Sequence, residues 1–253
     1  MTLWSRGPLF LIALGGFLAF FLWGFLGLPA FGFYQGPYGD IINSFGVQER
    51  HATNMVSAVN FDYRGVDTIG EEFILFASVT GCTLLLRARR DEEKEEEREQ
   101  TAEGRSFGTS SAITGLCLAL AVPSALFGWY IVAHGQLTPG GGFQGGVIMA
   151  SAAVFLYLAG QFAVLRRVSP NALLEAADSL GAGGYVLIGL AGLASGAAFL
   201  QNILPLGPVG QVYSAGTIWA ISIAVGLEVS AAFVLLMLEF LEQTLEMRQR
   251  RDE

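Results

Sequence analysis

The sequence has little charge. Only 14% of its 253 residues are Asp, Glu, Lys or Arg, whereas a typical soluble domain has about 25%. The charged residues are clustered, and 53% of the chain is hydrophobic, so long stretches carry no charge at all. This distribution excludes an ordinary soluble domain and predicts an all-α protein that crosses a membrane several times.

Histidine and cysteine are equally scarce. The chain has two histidines, His51 and His134, and two cysteines, Cys82 and Cys117. Both cysteines lie inside apolar runs, without a second ligand at metal-binding spacing, which predicts buried thiols and no disulfide framework. No catalytic triad, metal-ligand set or cofactor motif can be assembled. We therefore predict no catalytic residue, no metal and no cofactor, and a self-sufficient enzyme is poorly supported.

The net charge is −8, which argues against a nucleic-acid partner. Most of the negative charge comes from one run, residues 91–103. Like charges at this density repel one another, so the run is predicted to be a solvated linker.

Six apolar runs are long enough to cross a hydrocarbon core of about 30 Å. They are residues 9–28, 69–86, 113–132, 145–165, 183–200 and 217–240. Between the first two runs, the segment 54–60 is too short to span and is predicted to lie at the membrane interface. Residues 169–180 are predicted to form a separate short polar helix. The chain then divides into a two-helix membrane module (1–88), a charged linker (89–108), a four-helix membrane domain (109–246) and a charged tail (247–253).

The cations predict the orientation. Of the 14 Lys and Arg residues, all but Arg50 and Arg64 fall in the N-terminus, the segment 87–105 around the linker, the 166–167 pair or the C-terminal tail. With six spans, these four places lie on one side of the membrane. The positive-inside rule then places both termini and the linker in the cytoplasm.

A glycine-rich stretch between the third and fourth spans, residues 134–146, reads H-G-Q-L-T-P-G-G-G-F-Q-G-G. This stretch predicts a tight connection with closely approaching backbones, because glycine and proline disfavour regular structure. Its G-x-G-x-x-G spacing lacks the βαβ context of a dinucleotide site. The residues singled out as a structural motif are Thr138, Pro139, Gly140, Gly141, Gly142, Gln144, Gly145 and Gly146.

Acidic residues surround one arginine at the start of the second span. They are Asp62, Asp67, Glu71 and Glu72, with Arg64 among them. One interpretation is helix capping, since carboxylates are stabilised near a helix N-terminus. The other is an ion or proton pathway, in which Arg64 keeps the acids ionised and one of the two glutamates faces the bundle interior.

Glu228 lies in the middle of the sixth span. A carboxyl group at this depth must face protein or water, and intramembrane acids usually mark ion pathways. The alternatives are an ion-pathway or inter-subunit role, or a neutral acid that hydrogen-bonds across a helix interface. His134, beside the glycine-rich turn, is a further candidate for proton relay because imidazole titrates near neutral pH.

These motifs resemble a known family. The stretch 134–146, followed by Gly146-Val147-Ile148-Met149-Ala150, resembles the signature of the MnhB family, the B-type subunits of the multisubunit Mrp-type cation/proton antiporters, and the last span resembles theirs. The resemblance covers about residues 106–246. The upstream segment 54–71 is similar to the small E-type subunit of membrane-bound hydrogenases, which is equivalent to the C-terminal part of the large A-type subunit of Mrp antiporters. Two adjacent subunits would then be joined in one chain.

The resemblance implies an accessory membrane subunit of an antiporter, needed for assembly and lining the ion path. Its implied partners are the other subunits of the complex, membrane lipid, and Na+ and H+ as transported ions. An alternative is the membrane arm of a hydrogenase-like or complex I-related, redox-driven ion pump. A further alternative is a scaffold subunit without any ion path.

Overall fold

The computed structural model describes residues 3–28, 30–32, 36–87, 110–160 and 162–252. The regular elements in these ranges are all helical, which confirms the predicted all-α membrane fold. The helices are α1 (Leu3–Leu26), α2 (Pro37–Arg50), α3 (Met55–Ala58), a π-helical segment (Val59–Tyr63), α4 (Gly65–Arg87), α5 (Ser111–Ala133), α6 (Gly142–Leu158), α7 (Phe162–Val168), α8 (Asn171–Ala194) and α9 (Thr217–Asp252). The predicted linker, 89–108, lies outside the described residues.

Five described helices are long and apolar enough to cross a membrane: α1, α4, α5, α8 and α9. Helix α6, at the place of the predicted fourth span, is apolar but has only 17 residues. The predicted run 145–165 is interrupted because Gly160 has a φ of +75°, a left-handed conformation that ends helices. The run is therefore divided between α6 and α7.

The fifth predicted span, 183–200, is displaced in the structure. Helix α8 begins at Asn171 and is continuous through the segment predicted as a separate short helix. It ends at Ala194, shortly before Gly196, whose φ is +79°. The sequence places the polar residues of 171–180 outside the bilayer, but Asp178 is buried in the structure. A polar residue of this stretch can therefore lie inside the helix bundle.

The segment before the second span is more regular than predicted. It contains α2, α3 and the π-helical segment, where the sequence indicates only a polar connection and a short interfacial stretch. Asn54 caps α3, with its side-chain oxygen accepting a hydrogen bond from the Val56 amide. The last helix also continues beyond the predicted span, since α9 includes most of the predicted tail 247–253.

Residues 41–253 form one compact unit with α9 at its centre. Helix α9 contacts α4, α5, α6 and α8, and it is the most buried of the long apolar helices. Fully buried side chains along it include Ile221, Val225 and Val229. The side chains of this one helix thus face four neighbours, which is why a carboxyl group at its midpoint has no contact with solvent.

Residues 1–40 form a separate unit. Its helix α1 carries large exposed apolar side chains, among them Leu11, Phe20 and Trp23. A helix that is hydrophobic on all its faces is suited to lipid or to other membrane helices.

Candidate functional site

Three carboxyl groups are buried between α4, α8 and α9. Glu72 on α4 is 1% exposed, Asp178 on α8 is 3% exposed, and Glu228 on α9 is fully buried. Glu72 and Glu228 lie near enough to interact directly, and both interact electrostatically with Asp178. Three helices that are distant in sequence therefore bring three acids to one place.

A glycine makes this arrangement possible. A Cβ atom at Gly181 would lie 2.5 Å from the Cβ of Glu228 and 2.6 Å from its backbone nitrogen, far inside van der Waals contact. Gly181 is three residues after Asp178, so both lie on the same face of α8. The absence of a side chain at Gly181 lets α8 approach α9 at the position of Glu228.

The acids have almost no compensation from the protein. Beyond their interaction with each other, the carboxyl oxygens of Glu72 and Glu228 have no hydrogen-bond partner, and neither does Oδ1 of Asp178. No Lys or Arg is buried among the side chains that the structure describes. Because an isolated buried carboxylate is costly, these groups need protons or an external cation.

The acids also do not converge as metal ligands do. Within the described ranges, no group of three or more His, Cys, Asp or Glu side chains is placed to hold a metal ion. Glu72 and Glu228 interact directly with each other, and each also interacts electrostatically with Asp178. Such an arrangement can pass a proton from one group to the next.

Glu71, the other glutamate that the sequence singles out, points elsewhere. It is exposed, whereas the adjacent Glu72 is buried. Arg64 forms an ion pair with Asp67 at the surface, and both side chains are more than half exposed. These residues are outside the buried cluster.

The partner of Asp62 is Arg50, not Arg64. The Nε of Arg50 lies 2.9 Å from Oδ1 of Asp62, and Nδ2 of Asn202 donates to Oδ2 at 3.1 Å. Burial raises the pKa of Asp62 above its ordinary value, while the charge of Arg50 and the Asn202 hydrogen bond act against this. The neighbouring Tyr63 donates to Glu49, and burial together with this bond raises the pKa of Tyr63 to about 12.

Asn202 also connects Asp62 to the start of α9. Its Oδ1 accepts a hydrogen bond of 2.9 Å from the Thr217 amide, and its Nδ2 donates to the Ala215 carbonyl. Nδ1 of His51 bonds the Gly207 carbonyl. We refer to Arg50, Asp62 and Asn202 as the Asp62 clamp, which ties the segment before α4 to the connection between α8 and α9.

The glycine-rich turn is held from the same side. Nδ2 of Asn54 donates to the carbonyls of Gly135 at 2.7 Å and Thr138 at 2.9 Å. The hydroxyl of Ser57 also donates to Gly135, at 2.6 Å. Sequence reasoning missed both residues, although the position of Asn54 before a short apolar run is a recognisable N-cap signal.

The glycines of the motif serve backbone geometry and close contact. Gly140 and Gly141 have φ values of 131° and 135°, which allow the chain to turn before α6. A Cβ atom at Gly142 would lie 2.5 Å from the Cβ of Val225, and one at Gly145 would lie 2.6 Å from the Gly128 carbonyl. Gly146 meets Val229 in the same way. The motif thus brings α6 against both α5 and α9.

His134 ends α5 and lies apart from the carboxyl cluster. Its ring stacks on Tyr130 with centroids 4.1 Å apart, and Nδ1 is 2.9 Å from the Tyr130 carbonyl. The Thr138 hydroxyl donates to the His134 carbonyl, Pro139 follows Thr138 in the turn, and Gln144 is exposed. No hydrogen bond in the described part of the chain links His134 to Glu228.

Asp178 is the residue of the cluster that the sequence does not single out. It lies in a stretch with enough polar residues to suggest a surface helix, and this obscures its position inside the bundle. The available signal is its helical spacing from Gly181 and Gly184, which predicts a small-residue face.

The chain matches proteins of one family. Residues 112–235 match the family model described as a domain related to the MnhB subunit of Na+/H+ antiporters. An uncharacterized protein of Methanocaldococcus jannaschii is 31% identical over 218 residues, which cover 75% of this chain and 81% of that protein. A probable K+/H+ antiporter protein of the combined A/B type, from Rhizobium meliloti, is 29% identical over 128 residues, 45% of this chain but only 13% of that longer protein.

Two solved structures have a similar fold. One is a chain of the membrane-bound sulfane sulfur reductase, described as an archaeal respiratory membrane complex. Its TM-score is 0.69 and its identity 31%, and the match covers 93% of this chain and 97% of that one. The other is a chain of the Mrp complex from Dietzia sp. DQ12-45-1b, with a TM-score of 0.68 and 22% identity over 94% of this chain and 26% of that one. With its matched domain, its relatives and its helical membrane fold, the chain belongs to the family related to the MnhB subunit of Na+/H+ antiporters.

Proposed function

We propose that this protein is an accessory integral-membrane subunit of an Mrp-type multisubunit cation (Na+)/proton antiporter, in which it contributes to assembly and lines the ion path. The observation that carries the proposal is the carboxyl cluster of Glu72, Asp178 and Glu228. Each acid is buried, and none has a buried basic partner among the described side chains.

The energetics support a role in transport. A charged carboxylate at the centre of a membrane helix costs about 2.5–3.5 kcal/mol on insertion scales. An apolar residue at position 228 of helix α9 would avoid this cost. Three acids at one contact add to this cost. Beyond the interaction between Glu72 and Glu228, the oxygens of these two groups and Oδ1 of Asp178 have no hydrogen-bond partner. Binding and release of protons or cations is a function that explains such an arrangement.

The modules and partners of the proposal follow from the family. Residues 1–88 correspond to the E-type module and residues 109–246 to the MnhB-like domain, joined by the linker 89–108. The remaining subunits of the complex, with Na+ and H+ as the transported ions, are the proposed partners. The exposed apolar side chains of α1 are suited to membrane lipid or to neighbouring subunits, and the proposed location is the cytoplasmic membrane of a prokaryote.

A second candidate is the same role within a redox-driven respiratory complex. The observation that favours it is coverage: the chain of the sulfane sulfur reductase complex is matched over 97% of its length at 31% identity. The antiporter chains are matched over only 26% and 13% of theirs. In both candidates the carboxyl cluster would serve ion movement, and the candidates differ in what drives it.

The test is a purification of the tagged chain in mild detergent from its native membrane. Partners are identified by mass spectrometry, and cation/proton exchange is measured after reconstitution into liposomes. The antiporter proposal predicts co-purifying antiporter-like subunits without iron–sulfur proteins, and exchange driven by an imposed ion gradient. Recovery of iron–sulfur subunits would move the assignment to the redox-driven complex.

A variant separates both candidates from a scaffold. Glu228→Gln keeps the size and polarity of the side chain but removes its titration. The proposal predicts an assembled complex whose exchange is lost. A fully active Glu228→Gln complex would support the scaffold alternative and overturn a role in transport.

A further inference from the structure

Asp178 extends the cluster away from the two glutamates. It is 3% exposed, its Oδ1 has no hydrogen-bond partner, and it lies on the α8 face that packs against Glu228 through Gly181. Neither the motif that carries the family resemblance nor the capping of any helix uses it. Its burial without a partner therefore calls for an explanation of its own.

The helix directions relate the depths of Glu72 and Asp178. Near one end of the bundle, the Tyr185 hydroxyl on α8 donates to the Gly65 carbonyl at the start of α4, at 3.0 Å. Glu72 lies seven residues after Gly65 on α4, and Asp178 lies seven residues before Tyr185 on α8. At 1.5 Å per residue, both are about 10 Å from this contact, so their backbones lie at a similar depth in the bundle.

The side-chain directions separate the two carboxyl groups. The Cα–Cβ bond of a helical residue tilts toward the N-terminus of its helix. Glu72 therefore leans toward the Gly65 end, and Asp178 leans toward the Asn171 end, where Arg166 and Arg167 precede α8. Glu72 and Glu228 interact with each other, and both interact electrostatically with Asp178. On the predicted orientation, Asp178 is the member of the cluster nearest the cytoplasm.

Resting on the proposed function, we infer that Asp178 joins the Glu72–Glu228 pair as the third site of a proton relay, and that it exchanges protons between this pair and the cytoplasmic end of the bundle. In each step the O–H bond of one carboxyl group breaks and an O–H bond forms on the next carboxylate. The negative charge moves in the opposite direction, and no other reactant is needed.

The neighbours of Asp178 are consistent with a proton as the transferred ion. From α4 it faces Glu72, and from α9 it faces Glu228. On its own helix, the exposed Glu175 is one turn earlier and Tyr185 is two turns later. All the carboxyl groups in this set can bind and release a proton, whereas the described ranges contain no converging set of ligands for a metal ion.

The test uses the intact complex in liposomes with a pH-sensitive dye inside. Asp178→Asn removes the titrating group, and the relay predicts a loss of proton flux of about 100-fold, the scale of a positioned proton donor. Glu175→Gln is the matched control, since it removes an exposed acid from the same helix. The relay predicts near-normal flux for this control.

Asp178→Glu distinguishes a relay from a structural role. The longer carboxylic acid can still bind a proton, so the relay predicts substantial flux with an altered pH profile. A structural role predicts an unaltered profile in every variant that assembles. If Asp178→Asn fails to assemble, the pH profile of Asp178→Glu alone decides the question, and an unaltered profile overturns the inference.

The inference and the proposed function can fail separately. If Asp178→Asn transports normally while Glu228→Gln does not, Asp178 is outside the path and the proposed function stands. If neither variant affects transport in an assembled complex, the proposed ion path itself is wrong.

Discussion

Asp62 and Glu228 are both buried acids near α9, but the protein treats them differently. Asp62 is paired with Arg50 at 2.9 Å and accepts a further hydrogen bond from Asn202. Glu228, Glu72 and Asp178 have no buried basic partner among the described residues. Each of them also has at least one carboxyl oxygen without a hydrogen-bond partner there. Buried polar groups that serve structure are normally satisfied. The contrast supports the proposal that the Asp62 clamp serves folding and that the carboxyl cluster serves ion movement.

The largest effect is expected from the pair of adjacent glutamates at the start of α4. Glu72→Gln is predicted to lower proton flux by about 100-fold, because it removes a titrating group from the buried series. Glu71→Gln has the same chemistry at an exposed position and is predicted to retain most of the flux. Both are measured in reconstituted complexes of equal subunit content. If both variants lost the same share of proton flux, burial would not distinguish Glu72 from Glu71, and the comparison would fail.

The second largest effect is expected at the contact between Gly181 on α8 and Glu228 on α9, which holds the carboxyl cluster together. Gly181→Ala places a methyl group only 2.5 Å from the Cβ of Glu228, which is inside van der Waals contact. Overpacking of this kind costs about 1–3 kcal/mol. Gly183→Ala is the matched control, since nothing lies within 4 Å of a Cβ added there. Thermal unfolding of the purified complex should show a lower transition temperature for the first variant only. A similar transition for both would mean that α8 does not approach α9 as described.

Asn54 tests whether the glycine-rich turn depends on side chains from the segment before α4. Asn54→Ala removes the side-chain donor to the Thr138 carbonyl and one of the two donors to the Gly135 carbonyl, which keeps the Ser57 hydroxyl. A lost buried partner of this kind costs about 1–3 kcal/mol. Asn54→Asp retains the oxygen that caps α3 but loses the donating NH₂ group. If the two variants are equally destabilised in thermal unfolding, the carbonyl contacts matter. If Asn54→Asp is as stable as the wild type, the residue acts only as a cap.

The smallest expected effect is the pH dependence contributed by the Asp62 clamp. Burial raises the folded-state pKa of Asp62 above its ordinary value of 3.8. As the pH rises, the carboxyl group therefore loses its proton at a lower pH in the unfolded chain than in the folded protein. The contribution of Asp62 to stability therefore falls as the pH rises from 3.8 through the folded pKa, and it is constant above that. Asp62→Asn should make the unfolding temperature depend less on pH over this range. A steeper dependence in the variant would contradict the assignment.

Much of the fold follows from the sequence, because apolar runs of membrane length and glycines with special backbone needs are local signals. The run ending at Phe240 and the glycine-rich turn are examples. The start of α8 could not be located in this way. Asp178 makes the surrounding stretch polar, and only the approach of α9 shows that this polarity faces protein.

The site was partly predictable for the same reason. Glu228 stands alone in an apolar run, so its burial can be inferred from the sequence, whereas the choice between Glu71 and Glu72 depends on the rotation of α4. The pairing of Arg50 with Asp62 depends on the π-helical segment that contains Asp62, which no local pattern predicts. Contacts between distant helices decide these cases.

The most direct test of the central claim is proton flux through the assembled complex with Glu72→Gln and Glu228→Gln, singly and combined. Residues that act as one unit have strongly non-additive effects. A shared path predicts that each single variant loses exchange and that the double variant loses no more than the worse single one. Losses that multiply would place the two glutamates on separate paths, and normal exchange in the double variant would contradict a path through this protein.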